Sequence, residues 1–97
     1  MSRYELMSAG ELCREAAGLL GQNGHNDWAR SFAGWADQFG AEPDQTARAI
    51  SSASRGWSDL VLYRDGVLLA AENNALRDVF DELTRLCTHA LKPSKGS

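Results

Sequence analysis

The side chains able to do acid–base or ligand chemistry in this chain are few and scattered. His25 falls at a helix start and His89 near a helix end, with no HExxH pattern and no adjacent cysteine pair around either. A cap or surface position accounts for His25, and complementation of a helix C-terminal dipole or partial burial beside Leu91 accounts for His89. A metal site drawing on both histidines and Cys87 would require the fold to bring the two ends of the chain together. Cys13 and Cys87 fall on apolar helix faces, where a reduced thiol acts as a small hydrophobe, so buried free thiols are expected ahead of a disulfide. Gly21 and Gly24 lack the lysine and the Gly-Lys-Ser/Thr ending of a phosphate-binding loop. No G-x-S-x-G elbow marks a nucleophile, and no carboxylate pair stands out as an acid and a base. The expectation is no catalytic residue, no metal and no other cofactor. A small hydrolase-like enzyme using a histidine is the alternative, and it needs a pocket joining His25 or His89 to a carboxylate or to Cys87.

The richest local combination of side chains is Arg55-Gly56-Trp57-Ser58-Asp59. An aromatic ring beside an arginine and an acid, in a loop, suits an interface anchor, and Gly56 permits an unusual backbone angle there. Arg55, Trp57, Asp59 and the nearby Tyr63 are therefore the candidate partner-binding residues. The competing structural role has Trp57 plugging one end of the core and Asp59 capping a turn. Asn73 and Asn74 could bind a partner backbone or a small polar ligand, but capping the helix that follows is the simpler use.

The elements that must position these residues are legible from periodicity. A first helix carries Ala9, Leu12, Cys13, Ala16, Ala17 and Leu20 on one side and ends near Gly21, with Gly18 inside it as a possible point of close packing. A second helix, capped by His25 or Asn26, places Trp28, Phe32, Trp35 and Phe39 along one side and stops at Gly40. Four exposed rings would leave too little apolar material for the fold, so this stripe is read as core and not as a partner face. Glu42-Pro43-Asp44 starts a third helix running to about Ser54, with Ala47, Ile50 and Ala53 or Ser54 inward. Leu60–Tyr63, the turn signal Asp65-Gly66 and Val67–Leu69 then predict a short β-hairpin or extended insertion. A last helix, capped by Asn73 or Asn74, shows Leu76, Val79, Phe80, Leu83, Leu86, Cys87 and Ala90 on its apolar side, with an Asp81–Arg85 pair outside, and ends at Pro93. The fold class expected is mainly α: a small four-helix domain over residues 1–91 with the hairpin between helices three and four, followed by a disordered basic tail, 92–97.

Composition narrows the function classes. The net charge is −3, and because Lys92 and Lys95 lie in the tail, residues 1–91 carry −5. Acidic residues on helices two to four favour a basic partner protein, and no lysine–arginine cluster interleaved with aromatics supports nucleic-acid binding. Convergence of Arg3, Arg48, Arg55 and Arg64 on one face would revive it. The acidic start does not resemble a signal peptide and no apolar run is long enough for a membrane span, which places the protein in the cytoplasm.

Trp57-Ser58-Asp59-Leu60-Val61-Leu62-Tyr63, Asp65-Gly66 and the Glu72-Asn73-Asn74 helix start resemble a family of small uncharacterised bacterial proteins in which a Gly-containing loop and an Asn-Asp-Leu-Val-Leu-like stretch precede a final amphipathic helix. The resemblance covers mainly residues 56–86 and implies no catalytic residues. In size and acidity the chain is similar to bacterial immunity proteins and phage-defence accessory proteins. The leading expectation is a cytoplasmic interaction module, of the immunity or antitoxin kind, that occludes a partner protein. A homodimeric structural or accessory protein, sharing the helix-three face or the hairpin edge, is the second.

Overall fold

The computed structural model describes residues 3–91, so the expected basic tail lies outside the described residues. Within them the order is α1 (Arg3–Gln22), α2 (Asn26–Gln38), α3 (Pro43–Ser52), α4 (Ser54–Trp57), β1 (Tyr63–Arg64), β2 (Val67–Leu68) and α5 (Ala70–Leu91). The mainly α class is as expected, but the third helix is broken. Ala53 closes α3 with φ −87° and ψ −2°, and a second helical turn starts directly after it. That reset buries Trp57 and brings its indole Nε1–H to the Ile50 carbonyl at 3.0 Å. Arg55, which the sequence leaves open between helix three and the loop, and Gly56, expected in the loop, therefore lie on α4.

The aromatic stripe of α2 becomes core. Phe32 and Phe39 are buried, while Trp28 and Trp35 are half-buried against them. Phe32 makes an edge contact with Trp57 at a centroid distance of 5.7 Å and stacks on Phe80 at 5.7 Å, and Trp57 meets Phe80 at 4.7 Å. Three rings from α2, α4 and α5 thus close one end of the core. Such ring pairs add roughly 0.5–1.5 kcal/mol each beyond the area they bury. The apolar side of α5 is as read from the sequence, with Leu76, Val79, Phe80, Leu83, Leu86 and Cys87 all buried. The Asp81–Arg85 pair is replaced by an Arg85–Glu82 pair one position closer.

Two glycines correct the sequence reading. Gly18 packs against nothing, since a Cβ there would meet no atom within 4 Å, whereas Gly10 is the buried glycine of α1 and faces the Ala36 carbonyl of α2. Gly56 is needed for space and not for an unusual backbone angle: a Cβ would lie 2.7 Å from Cζ2 of Trp28. Opposite outcomes follow for the same substitution. Gly18→Ala should stabilise the fold by about 0.5–1 kcal/mol through helix propensity, and Gly56→Ala should destabilise it by about 1–3 kcal/mol by displacing the indole, both measured by urea unfolding.

The hairpin forms where Asp65-Gly66 predicts it. Tyr63 pairs with Leu68 and Arg64 with Val67, and both turn residues have positive φ, 54° at Asp65 and 78° at Gly66, as a type I′ turn requires. Two strands this short need outside support, and Asn73 supplies it. The last helix starts a turn earlier than expected, at Ala70, with Leu69 O accepting the Asn73 amide at 2.8 Å, so Asn73 is not its cap. Its side chain instead clamps the backbone of buried Leu62: Oδ1 accepts the Leu62 N–H at 2.7 Å and Nδ2 donates to the Leu62 carbonyl at 3.0 Å. Asn73→Ala would orphan the Leu62 N–H and should cost about 1–3 kcal/mol. Asn73→Asp should not rescue it, because a carboxylate oxygen would face the Leu62 carbonyl. Amide exchange at Leu62 checks both.

Candidate functional site

Five large apolar side chains of the described residues are exposed: Tyr4 and Met7 on α1, and Tyr63, Val67 and Leu68, at 56 %, 63 % and 52 %, grouped on the hairpin. Cross-strand pairing sets Tyr63 and Leu68 on the same face. Beneath that face, between the hairpin and α5, lies a cleft of about 340 Å³. Leu60, Val61, Leu68 and Phe80 give it an apolar lining, and Ser58, Tyr63, Asn73 and Arg77 contribute its polar atoms. Asn73 and Arg77 are held four positions apart on α5, while its clamp on Leu62 fixes the strand that carries Tyr63. The site is thus built on a helix and a braced hairpin. Its size lies within the range of ligand-binding clefts.

The four candidate residues read from the sequence separate. Tyr63 lines this cleft. Trp57 is 1 % exposed and belongs to the core, so it offers a partner no surface. Arg55 and Asp59 are exposed but line no part of the cleft, and Asp59 does not cap its turn, which closes through backbone bonds from Ser58 N to Ser54 O and from Leu60 N to Trp57 O. Val67, Leu68 and Arg77 were not singled out in the sequence. The available signal was the length of the hairpin: in strands this short, an apolar residue opposite Tyr63 shares its exposure.

A second groove, of about 360 Å³, runs between α1 and α5. Glu5, Glu11, Glu15 and Glu82 line it with Arg85, and Tyr4, 79 % exposed, stands at its edge. Acidic residues are expected on helices two to four; in this groove the last of those, α5, contributes Glu82, and α1 contributes the other three. Its α5 residues, Glu82, Arg85 and Leu86, point roughly 160° away from Asn73, Arg77 and Phe80 around the helix. The acidic groove and the hairpin cleft occupy opposite sides of α5.

Of the two histidines, His89 meets a carboxylate at the α1–α5 groove and His25 meets none among the described residues. His25 occupies the cap position of α2 without a side-chain cap bond. His89, at the far end of α1 from His25, is exposed and has Nε2 4.0 Å from Oε2 of the half-buried Glu5. Among the described residues no three His, Cys, Asp or Glu side chains are grouped to hold a metal ion. Cys13 and Cys87 are both buried and free. Burial pushes the Cys13 thiol up to about 12, with a further push from Cys87, and burial lifts Cys87 to about 11. Both are protonated near neutral pH and should alkylate with iodoacetamide at least about tenfold more slowly than in urea-unfolded chain, since the thiolate is the nucleophile. Because both folded-state values are raised, their contribution to stability is complete below about pH 9, the ordinary thiol value, and is lost as pH rises through 11 to 12.

Fold and site together define a class: a mainly α domain with one aromatic core that holds a short apolar hairpin over a cleft. No family model, curated protein or solved structure matches the chain. No helix among the described residues is long and apolar enough to cross a membrane.

Proposed function

We propose that this protein is a cytoplasmic protein-interaction module that docks a partner on the hairpin and the cleft beneath it. The observation that carries the reading is the joint exposure of Tyr63, Val67 and Leu68 on a hairpin braced by Asn73. Apolar side chains left in water contribute little to folding, and their coverage by a partner would gain about 25 cal/mol for each Å² of apolar surface. A rigid hairpin also loses little conformational freedom on binding. Occlusion of the partner's own functional surface, as an immunity or antitoxin-like factor acts, is the mode such a small rigid module suits, with roughly 1,200–2,000 Å² buried in total.

The test is affinity co-purification from the native host with quantitative mass spectrometry, comparing wild type with Leu68→Asp. Substituting Trp57 would be uninformative, because its loss damages the core. A stoichiometric partner retained by wild type and lost from Leu68→Asp is expected. A partner captured equally by both, or no partner in a preparation that recovers known complexes, overturns the reading.

A further inference from the structure

The chemistry of the cleft specifies more of the partner than its apolar rim does. Arg77 is the charged residue in the lining, and it forms no ion pair or hydrogen bond with any described residue, its helix neighbours Asp78 and Asp81 included. Asn73, the amide in the same lining, has its side-chain oxygen committed to the Leu62 N–H. The Ser58 hydroxyl in the same lining has no side-chain partner either. Two solvent-exposed donors with no acceptor among the described residues therefore sit beside Leu60, Val61, Leu68 and Phe80. The guanidinium fork matches a carboxylate in geometry and charge. A second arginine, Arg64, stands on β1, where its Nη2 reaches Asn23 Oδ1 at 3.3 Å.

We infer that the cleft receives a partner segment in which an apolar side chain is flanked by a carboxylate, the apolar group entering beneath Leu68 and the carboxylate pairing with Arg77. This rests on the protein-interaction reading above. It also reverses the preference that net charge suggests: the acidic groove that would attract a basic surface lies on the other side of α5, and a cation brought to the hairpin cleft would meet Arg77. The exposed carboxylates of Asp59 and Asp65 lie outside the lining, where solvent and salt screen them.

The experiment is selection of short random peptides, displayed on phage, against the full chain and in parallel against Arg77→Glu, Arg77→Gln and Leu68→Asp, each first shown by thermal unfolding to be folded. Wild-type binders should carry Asp or Glu adjacent to an aromatic or aliphatic residue, lose at least about tenfold in affinity on Arg77→Gln, and give way to Lys- or Arg-containing binders on Arg77→Glu. Binders that require Leu68 yet are neutral or basic and indifferent to Arg77 would overturn the carboxylate assignment while leaving the hairpin as a protein-binding surface. Binders indifferent to both positions, or none at all, would overturn both.

Discussion

Trp57→Ala is expected to lower stability by about 3–5 kcal/mol, the cost of deleting a buried large ring. The side chain is 1 % exposed, contacts Phe32 and Phe80, and donates its indole N–H to Ile50 O, so truncation removes packing, leaves a cavity between three helices and deprives a carbonyl of a donor. A chain of 97 residues has a total stability on the order of 5–15 kcal/mol. The melting temperature should fall by about 12–40 °C, given roughly 4–8 °C per kcal/mol for a domain of this size. Trp57→Phe separates the contributions: it keeps a ring in the aromatic cluster, loses the bond to Ile50 O, and should cost about 1–3 kcal/mol. Calorimetry of the two variants checks the ordering. An Ala variant as stable as wild type would remove Trp57 from the core.

The second large effect is expected on binding and not on folding. Val67→Asp and Leu68→Asp replace side chains that stand mostly in solvent, beyond the Leu62–Asn73 clamp, and each should change stability by no more than about 0.5 kcal/mol. Affinity for the partner should fall by about 30-fold or more for Leu68→Asp, because an apolar anchor at an interface centre is worth about 2 kcal/mol or more and a desolvated carboxylate adds a penalty. Val67→Asp should cost less, since Val67 does not line the cleft. Titration calorimetry with the purified partner reads both. A matching loss of stability would mean that the hairpin is structural, and an equal loss of affinity for both would move the contact from the cleft to the hairpin as a whole.

Much of the fold was legible because long helices repeat their apolar pattern. The α5 side from Leu76 to Cys87 and the α2 stripe from Trp28 to Phe39 each supply several turns of one signal, and Asp65-Gly66 names its own turn type. The break at Ala53 was not legible, since alanine and serine fit both a continued helix and a new turn. The start of α5 at Ala70 was hidden because the residue at the cap position, Leu69, has no side-chain acceptor to read. Asn73 looked like that cap and is instead the strut of the hairpin.

The candidate site was legible only in part, for a related reason. Periodicity says which side of an element is apolar but not which of two neighbouring aromatics the core admits. Trp57 and Tyr63 lie six residues apart in a segment too short to show a period, and the reset at Ala53 decides that Trp57 turns inward while the strand carries Tyr63 out. In the sequence Arg77 stands among the charges of the last helix, with Asp78, Asp81, Glu82 and Arg85, and nothing local sets it apart. Its place in the cleft depends on the hairpin folding back over α5, a tertiary fact with no local signature.

The central claim is that the hairpin face is where this protein meets its partner, and site-specific photo-cross-linking tests it most directly. A benzoylphenylalanine replaces Tyr63 in one strain and Arg48, exposed on α3 outside the cleft, in another, and both chains are irradiated in the native host. The account predicts one discrete adduct with a different protein from position 63 and none from position 48. Adducts from both positions alike, no adduct from position 63, or an adduct there at twice the chain's own mass, which would assign the hairpin to self-association, would contradict it.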